Sequence, residues 1–256
     1  MGDNMLENTK VMLETAKKEG YAVPHFNINN LEWTRFILEE CEKEKSPVIL
    51  GVSEGAKKYM VGFHTVTEMV KAMIKELNIT VPVALHLDHG SSILACKEAI
   101  DAGFTSVMID ASKFSLEENI AMTKEVVQYA HERNVTVEAE IGHVGGEEDG
   151  IASELAYAKV EDAVLLANST GIDTLAPALG SVHGIPDELI EKGVNCGICK
   201  LNINTDLQIV WAKAVRTYLN ENETVYDPRK IIKAGEKALK EKVSEKIHLL
   251  KSNNRI

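Results

Sequence analysis

No stretch of this chain stays apolar for the roughly 18 residues that a helix needs to cross a bilayer. The first twenty residues, MGDNMLENTKVMLETAKKEG, lack the apolar core of a secretory signal. Met1-Gly2 opens like a myristoylation site, but Leu6 stands where Ser or Thr is required. No membrane association is expected. Positive charge is also short. The 28 basic residues against 39 acidic ones leave a net charge of −11. That argues against nucleic acid or an anionic membrane as partner, since both need a broad positive face, but it leaves room for a local basic pocket around a phosphate. Four cysteines are too few for a disulfide framework in 256 residues. Cys196 and Cys199 form one C-x-x-C with no second pair to complete a zinc cage, so the cysteines read as packing thiols in a reducing cytoplasm. No G-x-G-x-x-G follows any apolar run, which weakens a doubly wound nucleotide fold.

What is present is alternation. Short apolar runs at 21–27, 47–52, 81–89, 105–109, 135–139, 174–179 and 197–203 read as strands. Helical patterns fall at 3–19, 31–45, 63–77, 91–102, from Ser115, at 160–169, 187–192, 206–220 and 228–250. Ser115-x-x-Glu118 is a capping box, and Gly103 occupies the position just past a helix end. Strand–helix alternation implies a parallel sheet. At this length a (β/α)8 barrel leads, and residues 1–256 are read as a single domain.

The run VPVALHLDH ends in Asp88 and His89. One such acid–imidazole pair is either a strand end meeting water or a catalytic acid/base beside a metal ligand. What decides is whether other strands end alike. They do: Asp110, Glu140, His183, Asn202 and Asn204 all stand at or just after strand ends. In a parallel barrel those ends share one face, where such folds place their chemistry. Two imidazoles beside acids suit a divalent metal of the zinc type, which polarises a carbonyl. The turn Gly142–Gly150 holds four glycines and three acids, and is either a surface loop or a lid carrying a proton-transfer carboxylate. Asn204-Thr205 opens a helix and is placed to offer backbone N–H groups to a phosphate.

On these residues the chain resembles the class II fructose-bisphosphate aldolases of the shorter bacterial type, and the similar tagatose-bisphosphate aldolases. The likeness runs through FNINN, PVILGVSEGA, HLDHGSS, the MIDAS segment, EAEIGHVGGEED, LAPALGSVHG, KLNINTDLQ and YDPRK. The resemblance implies reversible cleavage of fructose 1,6-bisphosphate into two triose phosphates with Zn2+, and a site for a second divalent or a monovalent cation. It makes Asp88 the group that moves the proton at the C4 hydroxyl. His89 and His183 become zinc ligands, with Asp110 and Glu140 acids at the metal. Glu148, beside Glu147, becomes a lid carboxylate, and Asn202 the amide that contacts the enediolate. Asn204 and Thr205 match a phosphate turn. Asn27, Ser53 and Gly184 match substrate contacts, and Arg229 resembles an arginine that reaches a neighbouring subunit's phosphate. A homodimer or homotetramer is implied.

The departure is large. Gly184 runs straight into Ile185-Pro186-Asp187, which in the family follows a seventh strand ending in a His-Gly-Gly-Ser-type motif. About thirty residues carrying the third zinc histidine are missing, so an incomplete barrel of seven strands is expected, with a gap between the sixth and last. His143 stands where the family has Thr or Arg and is considered as a substitute ligand, and Lys113 replaces a common His. Two rivals remain. One is a Schiff-base aldolase acting through Lys200. The other is a metal-poor relative that binds sugar phosphate without turnover. His25, His64, His86, His131 and His248 read as structural or surface residues.

Overall fold

The computed structural model describes residues 6–142, 146–148, 151–153, 158–177 and 184–256, with backbone alone at 146–148 and 151–153. Elements alternate as expected. They begin α1 (Thr9–Glu19), β1 (Val23–Asn27), α2 (Leu31–Glu44), β2 (Val48–Val52), α3 (Glu54–Tyr59), α4 (Phe63–Glu76), β3 (Val83–Gly90), α5 (Ile93–Asp101), β4 (Ser106–Ile109), α6 (Leu116–His131) and β5 (Thr136–Ile141). They continue with β6 (Gly146–Glu148), β7 (Ile151–Ser153), α7 (Val160–Thr170), β8 (Thr174–Pro177), α8 (Asp187–Asn195), β9 (Lys200–Ile203), α9 (Thr205–Glu221), α10 (Pro228–Lys233) and α11 (Glu236–Leu249). Seven strands follow the order β8-β5-β4-β3-β2-β1-β9, and among the described residues that order ends at β8 and β9. This is the parallel α/β class with one strand fewer than eight.

Two compact units divide the chain: Met1–Lys10, Gly51–Glu68 and Ala84–Gly180 form one, and Val11–Leu50, Met69–Val83 and Ser181–Ile256 the other. In the first, β3, β4, β5 and β8 lie side by side in parallel. Leu85, Leu87, Val107, Ile109, Val137 and Ala139 are fully buried, and α5 packs on β4, α6 on β4 and β5, and α7 on β8. In the second, β1 pairs with β9, His25 opposite Asn202 and Phe26 opposite Ile203. There α11 packs on α2 through Leu239, Val243 and Ile247. Glu44 of α2 accepts from Ser244 and His248, each at 2.9 Å.

Local chemistry sets most boundaries. Asn30 caps α2 by accepting from Trp33 N at 2.8 Å. The Ser115–Glu118 box is reciprocal. Gly103, at φ +98°, continues from α5 with its N–H on Ile100 O while Phe104 N reaches Ala99 O, a pairing that needs a left-handed residue.

Four expectations change. The first helix begins at Thr9 rather than residue 3, since Asn8 and Thr9 are tied to Asn134 and Thr136, the two threonine hydroxyls lying 2.8 Å apart. Ser53-Glu54-Gly55, given no element in the sequence, opens α3 after β2. The 228–250 pattern breaks into α10 and α11 at Gly235, where Trp211 packs against the backbone. A Cβ there would stand 2.1 Å from the indole. The cysteines also divide: Cys41 and Cys96 are buried, whereas Cys196 is exposed at the end of α8. Burial pushes the Cys96 thiol up to about 12.

Candidate active site

The backbone at the end of β3 is unusual. Its register against β4 slips between Leu87 and Gly90, and His89 sits at φ +51°. A non-glycine residue in the left-handed region stores strain, and such outliers gather where a side chain must be aimed. Here the aim is clear. The His89 Nδ1 lies 3.1 Å from Asp110 Oδ2 at the end of β4 and 3.4 Å from Glu140 Oε2 on β5. Adjacent parallel strands deliver these three groups because β3, β4 and β5 are neighbours and all terminate at the same edge.

The Asp110 carboxylate and the Glu140 backbone are each held in place. Asp110 Oδ1 accepts from Ser112 Oγ at 2.6 Å and from Ser112 N at 3.2 Å. Burial pushes this carboxyl up, but hydrogen bonds from His89 and Ser112 outweigh it and hold the group at about 2. The backbone carbonyl of Glu140 accepts from Asn119 Nδ2 at 2.9 Å, and Asn119 in turn accepts from Thr123. Both are buried on α6, so the helix that the capping box starts also anchors the β5 end. Ser112, Asn119 and Thr123 escape a reading of the sequence. The signals near them are the MIDAS segment, which ends in Ser112, and that box.

Asp88 is buried, 6% exposed, one residue before His89. Below it on the same face, His86 is fully buried and shares a 2.8 Å hydrogen bond with Ser106, with Glu138 at 3.8 Å. His25 and His86 are thus interior groups, and His131 and His248 are exposed partners of Asp173 and Glu44.

In the second unit, β1 and β9 run parallel and finish together, bringing Asn27 to the edge where Asn202, Asn204 and Thr205 lie. Asn204 is the N-cap of α9, but its side chain makes no cap bond and instead accepts from Gln208 at 3.1 Å. Asn202 Oδ1 accepts from Lys200 Nζ at 2.9 Å. Ser53 serves as the N-cap of α3, accepting from Ala56 N at 3.2 Å. Arg229 is exposed and grips Asp227 through Nε and a terminal nitrogen at 3.1 and 2.8 Å. Gly184 adopts φ +85°. At the acidic turn, the backbones of β6 and β7 pair antiparallel, with Glu148 opposite Ile151. His183, His143 and the Glu148 side chain lie outside the described residues.

Does the donor set fit a metal? One imidazole nitrogen and two carboxylate oxygens lie within 4.8 Å of one another. Ligand atoms about 2.0–2.2 Å from a tetrahedral ion stand roughly 3.3–3.6 Å apart, close to the separations of His89 from Asp110 and Glu140. Mixed N/O ligation suits a zinc-type divalent ion. These residues fit one.

Comparison with known proteins agrees with this chemistry. The family profile described as fructose-bisphosphate aldolase class-II matches residues 7–188 and 184–255. A fructose-bisphosphate aldolase from Staphylococcus aureus (strain Mu50 / ATCC 700699) is 50% identical over 282 residues, covering 98% of this chain and 99% of the relative. One from Geobacillus stearothermophilus is 51% identical over 274 residues, covering 94% and 96%. Among solved structures, the YdjI aldolase of Escherichia coli K12 superposes with a TM-score of 0.82 at 31% identity, covering 98% and 99% of the two chains. The fructose-bisphosphate aldolase of Campylobacter jejuni does so with 0.82 at 25% identity, covering 96% and 94%. The 282-residue alignment exceeds this chain's 256 residues, so at least 26 residues of the Staphylococcus relative have no counterpart here. The profile's two stretches meet at 184–188, the junction at which the sequence departs from the family.

Proposed function

The chain belongs to the class II fructose-bisphosphate aldolase family, and from that membership we propose that it cleaves fructose 1,6-bisphosphate reversibly to dihydroxyacetone phosphate and glyceraldehyde 3-phosphate. The observation that carries the reading is the strained His89 drawn onto Asp110 and Glu140 at three adjacent strand ends. His89, Asp110 and Glu140, with His183, would hold the ion, read here as zinc. When bound, such an ion polarises the ketone carbonyl of the substrate.

The chain's own groups do the rest. Asp88 takes the proton from the C4 hydroxyl as the C3–C4 bond breaks and returns it in the condensation direction. Its burial removes competing water from that transfer. Asn202 donates to the oxygen that gains negative charge on the ketone half. Asn204 and Thr205, at the N-terminus of α9, offer backbone N–H groups to a phosphate. Asn27, Ser53, Gly184 and Glu148 are assigned to the sugar bisphosphate and to proton exchange. Arg229 is assigned to a neighbouring subunit's phosphate in a homodimer or homotetramer. A cytoplasmic location is part of the same proposal, and the free cysteines fit it.

The junction at 184–188 favours a second reading, a relative that binds sugar phosphates with impaired turnover for want of a third histidine. One experiment separates them. Purified protein is assayed with fructose and tagatose 1,6-bisphosphates, with zinc added and then with EDTA. Zinc-dependent, EDTA-sensitive cleavage supports the aldolase, and the preferred sugar names the substrate. Binding of dihydroxyacetone phosphate without turnover supports the impaired relative. Activity that survives EDTA sinks the metal assignment.

A further inference from the structure

Lys200 is a charged side chain on the strand that carries Asn202, and the mechanism above leaves it idle. Residues two apart on a strand share a face, so Lys200 and Asn202 stand side by side on β9, with Val23 and His25 opposite them on β1. The Lys200 Nζ lies 2.9 Å from Asn202 Oδ1, and both side chains are half-buried.

An asparagine amide has two ends of nearly equal shape, and either can turn toward a neighbour. A lysine ammonium carries three donors and no acceptor. Only the oxygen end can face it. The lysine therefore holds the Asn202 carbonyl oxygen toward itself, and the NH2, on the same carbon, is turned away from the ammonium. We propose that Lys200 is a positioning residue that fixes the Asn202 amide with its donors toward the substrate. The proposal rests on the aldolase reading.

The consequence is electrostatic. As the C3–C4 bond breaks, negative charge builds on an oxygen of the ketone half. An amide presenting N–H stabilises that charge, and a flipped amide presents its own carbonyl oxygen and opposes it. Removing one such donor typically lowers kcat about 100- to 1000-fold. The same contact gives Lys200 a role other than nucleophile, because its Nζ is engaged with an amide oxygen.

Two measurements test this. First, kinetics of the zinc-loaded protein: Lys200→Met should lower kcat about 10- to 100-fold with KM moved less than about threefold, since it releases the donor and not the binding contacts. Lys200→Arg, again donor-only, should stay within about fivefold of wild type. A Schiff-base lysine would lose everything on replacement by arginine and would be trapped by borohydride, and either result overturns the proposal. So does a Lys200→Met variant with unchanged kcat. Second, acetylation of Lys200 by acetic anhydride, read by peptide mass spectrometry, should speed up severalfold in Asn202→Ala. Equal rates would show that the contact does not hold in solution and would overturn the proposal. If wild type gives no turnover, the positioning role falls with the aldolase reading, and faster labelling in Asn202→Ala then identifies the function, not the contact, as what failed.

Discussion

A buried carboxylate beside a strained histidine has few purposes in a stable protein, because charge without water is costly. Asp88 is such a group. Replacing it with Asn keeps the shape and removes the proton acceptor. Asp88→Asn should lower kcat by about 100- to 10,000-fold with little change in KM, measured by steady-state cleavage of fructose 1,6-bisphosphate. Glu42 shows the opposite use of a carboxylate. It accepts from Thr80 N at 2.6 Å, Thr80 Oγ1 at 2.8 Å and Val81 N at 3.1 Å, and pairs with Lys45. Its slight burial pushes the carboxyl up, but these bonds bring it from 4.5 down to about 2. A folded-state pKa below the unfolded one stabilises above the unfolded value and loses that contribution as pH falls through the folded value. The difference in urea midpoint between wild type and Glu42→Gln should therefore be largest above pH 4.5 and close toward pH 2. Motif reading found Asp88 because it ends an apolar run. Glu42 sits among charges on a helix, and nothing local marks its partners 38 residues away.

Elements follow local rules until a distant side chain intervenes. The pattern over 228–250 is continuous in sequence, yet α10 and α11 part at Gly235, where the Trp211 indole takes the space of a Cβ and stacks edge-on with Trp33 at 5.9 Å. Gly235→Ala should cost about 1–3 kcal/mol through overpacking, and near-ultraviolet circular dichroism should register a displaced Trp211. Farther along α11, Lys246 is buried and meets Asp206 on α9 at 3.0 Å. Lys246→Met takes the cation from that carboxylate and should cost about 1–3 kcal/mol by urea unfolding, with Lys246→Arg costing less. Neither effect is visible from helical periodicity, which reports one face of one helix and not what packs on it.

At the level of the whole chain, the junction at Gly184-Ile185 dominates. Relatives carry at least 26 residues that this chain lacks, and the strand order ends at β8 and β9 among the described residues. If the extra segment brings the third histidine that the family resemblance implies, grafting it from the Staphylococcus aureus relative between Gly184 and Ile185 should tighten divalent-metal binding at least tenfold, because a restored ligand should count for no less than the roughly 10- to 100-fold effect of lost supporting contacts. Chelator competition measures it without reference to activity. The alternating pattern, the caps and the acids at strand ends were readable in one dimension, because strands, helix termini and turns depend on neighbours within a few residues. Folding alone could turn His89 into a left-handed bulge, set it 3.1 Å from Asp110, and bring Lys200 onto the Asn202 oxygen. Those distances arise when β3 meets β4 and when side chains two apart on β9 choose rotamers against β1, and such choices are made by packing between segments far apart along the chain.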